Sequence, residues 1–288
     1  KKIKIPILWT LHDMWLYCGA EHYTYENNRF VDGYLRNNRP QNESGFDLNK
    51  WVWKRKKKNL PKQINIIATS NWQYNNAKKS NLLKDKKIYK LPLPIDTDFW
   101  KPIEKNEAKK ILGWHLNKTY FLFGFSDYGK KYIKGLDTSI EIFKNYKSKI
   151  NKNVVLNIFG EVGQNKFNDD NINILGPVNN NTKLRLIYSA SDLLLNPSRL
   201  ESFGQIALES LSCGLPVMCR DGTGTTDLIS SSNMGYIMKE PIIENFEDFN
   251  NWFKKILVSN NQNDLYKIIK EKFSYDLIAD QYSKILKN

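Results

Sequence analysis

From residue 119 onward the chain alternates between two kinds of run, and this restricts its fold more than any other feature. Strand-like runs fall at 119–125, 153–159, 172–175, 192–196 and 215–219. Helix-like runs fall at 135–148, 181–190 and 203–213. Strands alternating with helices predict βαβ units and a parallel sheet covered on both faces. Residues 245–258, 262–272 and 275–287 then read as helices only, a third candidate region.

The earlier part is less regular. Residues 5–11 read as a buried strand running into His12-Asp13. Residues 17–50, rich in Asn, Tyr, Gly and Arg, read as a long structured loop with short helical pieces. A helix is expected at 50–58, a strand at 64–69, a helix at 71–80 capped by Ser70, and a strand at 87–93. Pro92, Pro94 and Pro102 mark a linker around 95–104.

A length of 288 residues suits two domains. Hydrophobic residues at 41% and charged residues at 26% exclude a disordered chain. The formal net charge of +14 asks for an anionic partner: nucleic acid, a phosphorylated small molecule or an anionic membrane. No apolar run reaches the ~18 residues of a membrane-spanning helix. Cys18, Cys213 and Cys219 cannot form a disulfide framework, and they suit a reducing compartment. The chain begins with Lys and shows no signal-peptide pattern, so the expectation is a longer protein whose N-terminal part precedes it.

Two stretches carry candidate chemistry. Phe121-Leu122-Phe123-Gly124-Phe125-Ser126 ends a strand, and Lys134-Gly135 opens the next helix. Ligands of open α/β sheets sit at the carboxyl ends of strands, and a helix N-terminus offers N–H groups to an anion. Gly124, Ser126 and Lys134 are thus phosphate-binding candidates; the alternative is two structural glycines and one solvated base. Further on, a strand ends at Asn196, a Pro turn leads to Glu201, and Ser202-Phe203-Gly204 starts a helix carrying Glu209. Carboxylates accept from sugar hydroxyls and N–H groups bind diphosphate, so this segment suits a pocket wall. The alternative is a helix with two solvated glutamates.

This segment resembles the Glu-x7-Glu signature of family 4 retaining glycosyltransferases, which have the GT-B fold. Ser210-Leu-Ser-Cys-Gly214-Leu-Pro216-Val217 resembles the family's helix end and next strand, and Asp221-Gly222-Thr-Gly224 with Gly235-Tyr236 the following loop and strand. Lys134-Gly135 falls where the family keeps a diphosphate-binding Lys-Gly. Leu93-Pro94-Ile95-Asp96-Thr97-Asp98-Phe99 resembles the interdomain hinge, and Thr10-Leu11-His12-Asp13-Met14-Trp15 an N-domain strand end.

The resemblance implies an α/β, GT-B architecture of two Rossmann-like domains facing a cleft, with the N-terminal domain incomplete. The expected domains are 1–98 on the acceptor side, 99–272 for the nucleotide-sugar, and 273–288 as a helix crossing back. It implies that Glu209 accepts from ribose hydroxyls, that Glu201 contacts the donor sugar, and that Phe203 and Gly204 offer backbone N–H groups to sugar or diphosphate, with Ser202 also donor-binding. Gly124, Ser126 and Lys134 complete the donor site, Lys134 neutralising the departing β-phosphate. His12, with Asp13 and Trp15 beside it, faces the donor sugar from the acceptor side. His12, Lys134 and Glu201 are the expected catalytic set. No metal and no cofactor are expected; Asp96-Thr97-Asp98 reads as part of the hinge, and Cys18 with His22 has no second ligand pair. One departure is a missing Arg after the glycine turn, for which Arg199 is a substitute in charge.

Trp51, Trp53 and Lys54-Arg55-Lys56-Lys57-Lys58 combine aromatic and basic character, which suits an anionic membrane surface. The alternative is a solvated helix face with one Trp in the core. The expected function is transfer of a hexose from a nucleotide diphosphate sugar to a carbohydrate or lipid-linked saccharide hydroxyl, in surface polysaccharide or glycolipid assembly. The expected place is the cytoplasm, peripheral to the membrane. The rivals are a non-catalytic nucleotide-sugar-binding module and a nucleic-acid-binding protein, the latter without any recognised motif.

Overall fold

The computed structural model describes residues 7–24, 27–125, 131–163, 167–240, 245–259 and 262–287. Ser126, a donor-site candidate, lies outside them. The chain divides into two units: Lys1–Leu93 with Ile278–Asn288, and Pro94–Leu277. The boundaries expected from the sequence are 98/99 and 272/273.

In the first unit, β1 (Ile7–Leu11), β2 (Ile64–Ala68) and β3 (Lys87–Lys90) form a parallel sheet in that order. The crossover from β1 to β2 contains α1 (Arg29–Asp32) and α2 (Leu48–Asn59). From β2 the chain returns through α3 (Asn71–Lys79), whose first turn is capped by the Ser70 hydroxyl accepting from Gln73 N. The long stretch between β1 and α2 holds its shape through polar anchors. Buried Arg29 donates to Asp47 Oδ2 at 2.7 Å, to Leu35 O at 3.1 Å and to Asn38 Oδ1 at 3.2 Å. A buried guanidinium is tolerable only with partners of this kind.

In the second unit, α4 (Lys105–Ile111) leads into β4 (Thr119–Gly124). There follow α5 (Lys131–Lys134), α6 (Leu136–Lys149), β5 (Val154–Phe159), β6 (Ile172–Gly176), α7 (Asn181–Ala190) and β7 (Leu193–Asn196). Then come α8 (Gln205–Ser212), β8 (Val217–Arg220), a 3₁₀ turn at Gly224–Leu228, β9 (Gly235–Met238), α9 (Phe246–Ser259), α10 (Gln262–Phe273) and α11 (Tyr275–Lys287). The six strands are parallel, in the order β6-β5-β4-β7-β8-β9. Every residue of β5 is buried, as burial on both faces requires.

Two elements differ from the sequence reading. Residues 105–111 are helical although no element is expected there, directly after the linker at 95–104. The cap is Glu104, whose carboxylate accepts from Asn106 N and Glu107 N, and buried Lys109 reaches Lys118 O at 3.1 Å and Asp192 Oδ2 at 3.5 Å. The Asp192 anchor depends on a residue distant in the chain. Nor do the helices after residue 245 form a region of their own. Phe253 of α9 lies 5.3 Å from Phe121 of β4 and 5.6 Å from Tyr146 of α6, inside the core of the second unit. From Ile278 onward α11 belongs to the first unit: Ile278 is buried with Ile67 and Leu91, and Tyr282 Oη lies 3.0 Å from Thr10 Oγ1.

Candidate active site

The order of the six-stranded sheet reverses between β4 and β7, which lie side by side while the chain runs outward from each in opposite directions. The loops leaving the carboxyl ends of two such strands diverge and leave a crevice, the usual ligand position in an open α/β sheet. Gly124 ends β4 and Asn196 ends β7, so both candidate stretches meet at this point. Lys134 Nζ lies 2.6 Å from Glu201 Oε2, and both side chains are largely buried. Gly135, next in the chain, has φ +80° and caps α6. A Cβ there would lie 2.5 Å from Pro197 O, so the two loops touch closely at a position only glycine can occupy. Gly124 has a different reason. A Cβ would lie 2.0 Å from the Phe159 ring, so packing against β5 alone demands glycine.

The loop from β7 brings Glu201, Ser202, Phe203 and Gly204 to the start of α8. Glu201 O accepts from Gly224 N at 2.8 Å, which ties this loop to the one after β8. The Phe203 ring is buried and lies 6.4 Å from that of Phe273, so only the backbone of Phe203 is available to a ligand. Gly204 is the N-cap of α8, and neither α6 nor α8 has a side-chain cap bond. Two helix N-termini thus present donors and partial positive charge beside Lys134.

Glu209 stands in the middle of α8. Its Oε2 accepts from Tyr188 Oη at 3.0 Å and its Oε1 from Gln205 Nε2 at 3.3 Å. Burial pushes its carboxyl above the usual range, while the bonds from Tyr188 and Gln205 oppose that rise. Glu209 is thus held by Tyr188 and Gln205, with a hydroxyl to orient it, while Glu201 pairs with Lys134. Tyr188, fully buried on α7 against Trp100 and Phe159, is a partner of a candidate site residue that sequence reasoning misses, because it looks like any apolar-face tyrosine.

In the first unit, His12 is exposed immediately beyond β1. Asp13 accepts from Trp15 N at 2.8 Å through Oδ1, and its Oδ2 lies 2.6 Å from His22 Nδ1. Met14 N also donates to His22 O at 2.9 Å, so His22 closes the loop that carries His12, Asp13 and Trp15. Trp15 is partly exposed, with Lys56 Nζ 3.8 Å from its ring centre. Among the described residues, no three His, Cys, Asp or Glu side chains gather as a metal site would need. Cys18 is buried, and burial pushes its thiol far up.

The basic aromatic helix needs correction at two positions. Trp53 is buried beside Tyr34, rings 5.9 Å apart, and cannot touch a surface. Lys56 turns inward, its ammonium donating to the carbonyls of Trp15, Cys18 and Gly19. Partial burial pushes its pKa down to about 8. Trp51, Lys54, Arg55, Lys57 and Lys58 remain exposed, joined by Phe46 at 71% and Leu48 at 52% exposure. No helix among the described residues is long and apolar enough to cross a membrane.

The sequence profile of "Glycosyl transferases group 1" matches residues 104–272. Lipopolysaccharide glucosyltransferase WaaG of Escherichia coli K12 is 29% identical over 143 residues, covering 47% of this chain and 36% of that protein. An uncharacterised 41.2 kDa protein in the cps region of Klebsiella pneumoniae is 29% identical over 217 residues, 71% of this chain and 56% of that one. The chain thus spans between about a third and just over half of these relatives. Sucrose-phosphate synthase from Thermosynechococcus elongatus superposes with a TM-score of 0.70 at 16% identity, covering 99% of this chain and 68% of that one. That likeness establishes the GT-B fold of two α/β domains. With the profile spanning more than half of its length, the chain belongs to the group 1 glycosyl transferases.

Proposed function

We propose that this protein is a retaining glycosyltransferase of family 4, moving a hexose from a nucleotide diphosphate sugar to a hydroxyl in surface polysaccharide or glycolipid assembly. The observation that carries this is the Lys134–Glu201 pair at the point where the sheet reverses, flanked by two helix N-termini without side-chain caps. Lys134 neutralises charge on the leaving diphosphate, with the start of α8 adding N–H donors through Phe203 and Gly204. Glu201 holds the donor sugar's hydroxyls, and Glu209 accepts from the ribose. Gly124 lies at the β4 end of the same site, and Ser126, two residues on in the sequence, is assigned to the donor with it. His12, Asp13 and Trp15 serve the acceptor side. A retained configuration requires the diphosphate to leave and the hydroxyl to arrive on the same face of the sugar, so positioning does most of the work. Lys134 supplies the charge without a metal.

The name of the WaaG relative, a lipopolysaccharide glucosyltransferase, supports the substrate class. The exposed Phe46 just before α2 and Leu48 and Trp51 in it, with Lys54, Arg55, Lys57 and Lys58 further along that helix, support peripheral contact with an anionic membrane from the cytoplasmic side. The test is a thermal-shift panel of UDP, GDP, ADP and their common sugar conjugates. A ligand at 100 times its dissociation constant stabilises by about 2.7 kcal/mol. A shift with one nucleotide class, lost in Lys134→Ala and Glu209→Ala, is expected. Equal behaviour of both variants and the unchanged chain would refute the site assignment.

A further inference from the structure

Arg199 stands two residues before Glu201, where its charge invites a role on the diphosphate. The structure shows that charge already engaged. Its Nη1 and Nη2 meet Asp137 Oδ1 and Oδ2 at 2.8 and 2.7 Å, a two-point carboxylate contact at the first turn of α6. Nη1 also donates to Tyr132 O at 2.6 Å, and the guanidinium stacks 4.0 Å over the Tyr132 ring. The backbone of Arg199 donates to Ile133 O at 2.7 Å. Every one of these contacts grips 132–137, the segment with Lys134 at its centre. A second arginine braces the same region: Arg220 Nε reaches Pro197 O at 3.3 Å and its Nη2 reaches Thr138 Oγ1 at 3.5 Å.

The mechanical need is plain. Lys134 ends a four-residue helix, too short to hold itself in place. A lysine carries a point charge on a flexible stem, and its aim depends on where its backbone is held. We propose that Arg199, locked by Asp137, is a positioning residue that sets Lys134 for the donor's diphosphate and does not itself bind the diphosphate. This rests on the donor-site reading above.

The two roles predict opposite signs for one substitution. If Arg199 were a direct phosphate ligand, removing the Asp137 carboxylate would free its charge and strengthen anion binding. If Arg199 acts through Lys134, Asp137→Ala unlocks the clamp and weakens binding although it removes a negative charge. The experiment is calorimetric titration of UDP, GDP and ADP into the full chain, carrying forward whichever binds. Arg199→Ala, Asp137→Ala and Lys134→Ala are compared singly and in pairs, with thermal melting alongside. The expected result is a loss of about tenfold in affinity for both Arg199→Ala and Asp137→Ala, with no further loss when either is added to Lys134→Ala. Additive losses, or equal or tighter binding by Asp137→Ala, overturn the proposal while leaving the donor site standing, provided that Lys134→Ala still weakens binding. If no nucleotide binds the unchanged chain, the donor-site reading falls and this proposal with it. Where Arg199→Ala fails to melt cooperatively, Arg199→Lys and Asp137→Asn complete the same cycle. Arg199→Lys keeps a charge but not the two-point contact, and it is expected to recover only part of the affinity.

Discussion

Tyr188→Phe removes one oxygen and leaves the ring where it is, packed 5.8 Å from Trp100 and 6.2 Å from Phe159. The oxygen donates to Glu209 Oε2 at 3.0 Å in a site where burial already disfavours the carboxylate. Hydrogen bonds to charged groups contribute about 1.5–3 kcal/mol, against about 0.5–1.5 kcal/mol for neutral ones. The sign with pH follows from the direction of the Glu209 shift. Its folded pKa lies above the unfolded value, so stability falls as pH rises through that window and the full penalty is present above the folded pKa. Losing the Tyr188 donor moves the folded pKa further up and enlarges the penalty at neutral pH. Below the unfolded value both forms carry the proton, and only the smaller neutral contribution is lost. Guanidinium unfolding at pH 7.5 should therefore show a loss of about 1.5–3 kcal/mol, shrinking to about 0.5–1.5 kcal/mol at pH 4. A loss of equal size at both pH values, or none at either, would refute the picture of an ionised Glu209 held by this hydroxyl. Nucleotide affinity, if Glu209 receives the ribose, should fall with the same variant at pH 7.5.

Gly135→Ala places a Cβ 2.5 Å from a backbone oxygen in a left-handed conformation, and should cost roughly 2–5 kcal/mol in denaturant unfolding; a loss under ~1 kcal/mol would mean that the two loops separate freely. Lys56 has a folded pKa near 8 against an unfolded value of 10.5, so its contribution to stability increases as pH rises between those values. Lys56→Met should remove that rise from the melting profile, and an unchanged profile would show that the ammonium is not desolvated at the carbonyls of 15–19. Replacing Phe46, Leu48 and Trp51 together with Ser should abolish co-sedimentation with vesicles containing anionic lipid while leaving nucleotide binding intact; retained co-sedimentation would place membrane contact elsewhere.

Most strands and helices of the second unit were legible because each buries an apolar face, and that need writes a period into the local sequence. Helix 181–190 and helix 275–287 match the observed ends, and Ser70 caps α3 as its side chain permits. The stretches with Lys134-Gly135 and Glu201 were legible as loops beyond the carboxyl ends of two strands. Their meeting there depended on the order β6-β5-β4-β7-β8-β9, which no local period encodes.

The sequence by itself determined the class of fold, the positions of most elements and the residue types gathered near the crevice. Tertiary structure alone decided what each of those residues touches. Trp51 and Trp53 look alike in the chain, yet one is exposed and the other lies in the core, because a helix face is set by what packs on it. Five consecutive basic residues look equally solvated, yet Lys56 finds three carbonyls from a loop some forty residues earlier. Glu209 meets Tyr188, and Lys134 meets Glu201, through bonds spanning 21 and 67 residues of chain. Periodicity reports only which side of an element avoids water. The partner across the contact is chosen by long-range packing and by the obligation of buried polar groups to find one another.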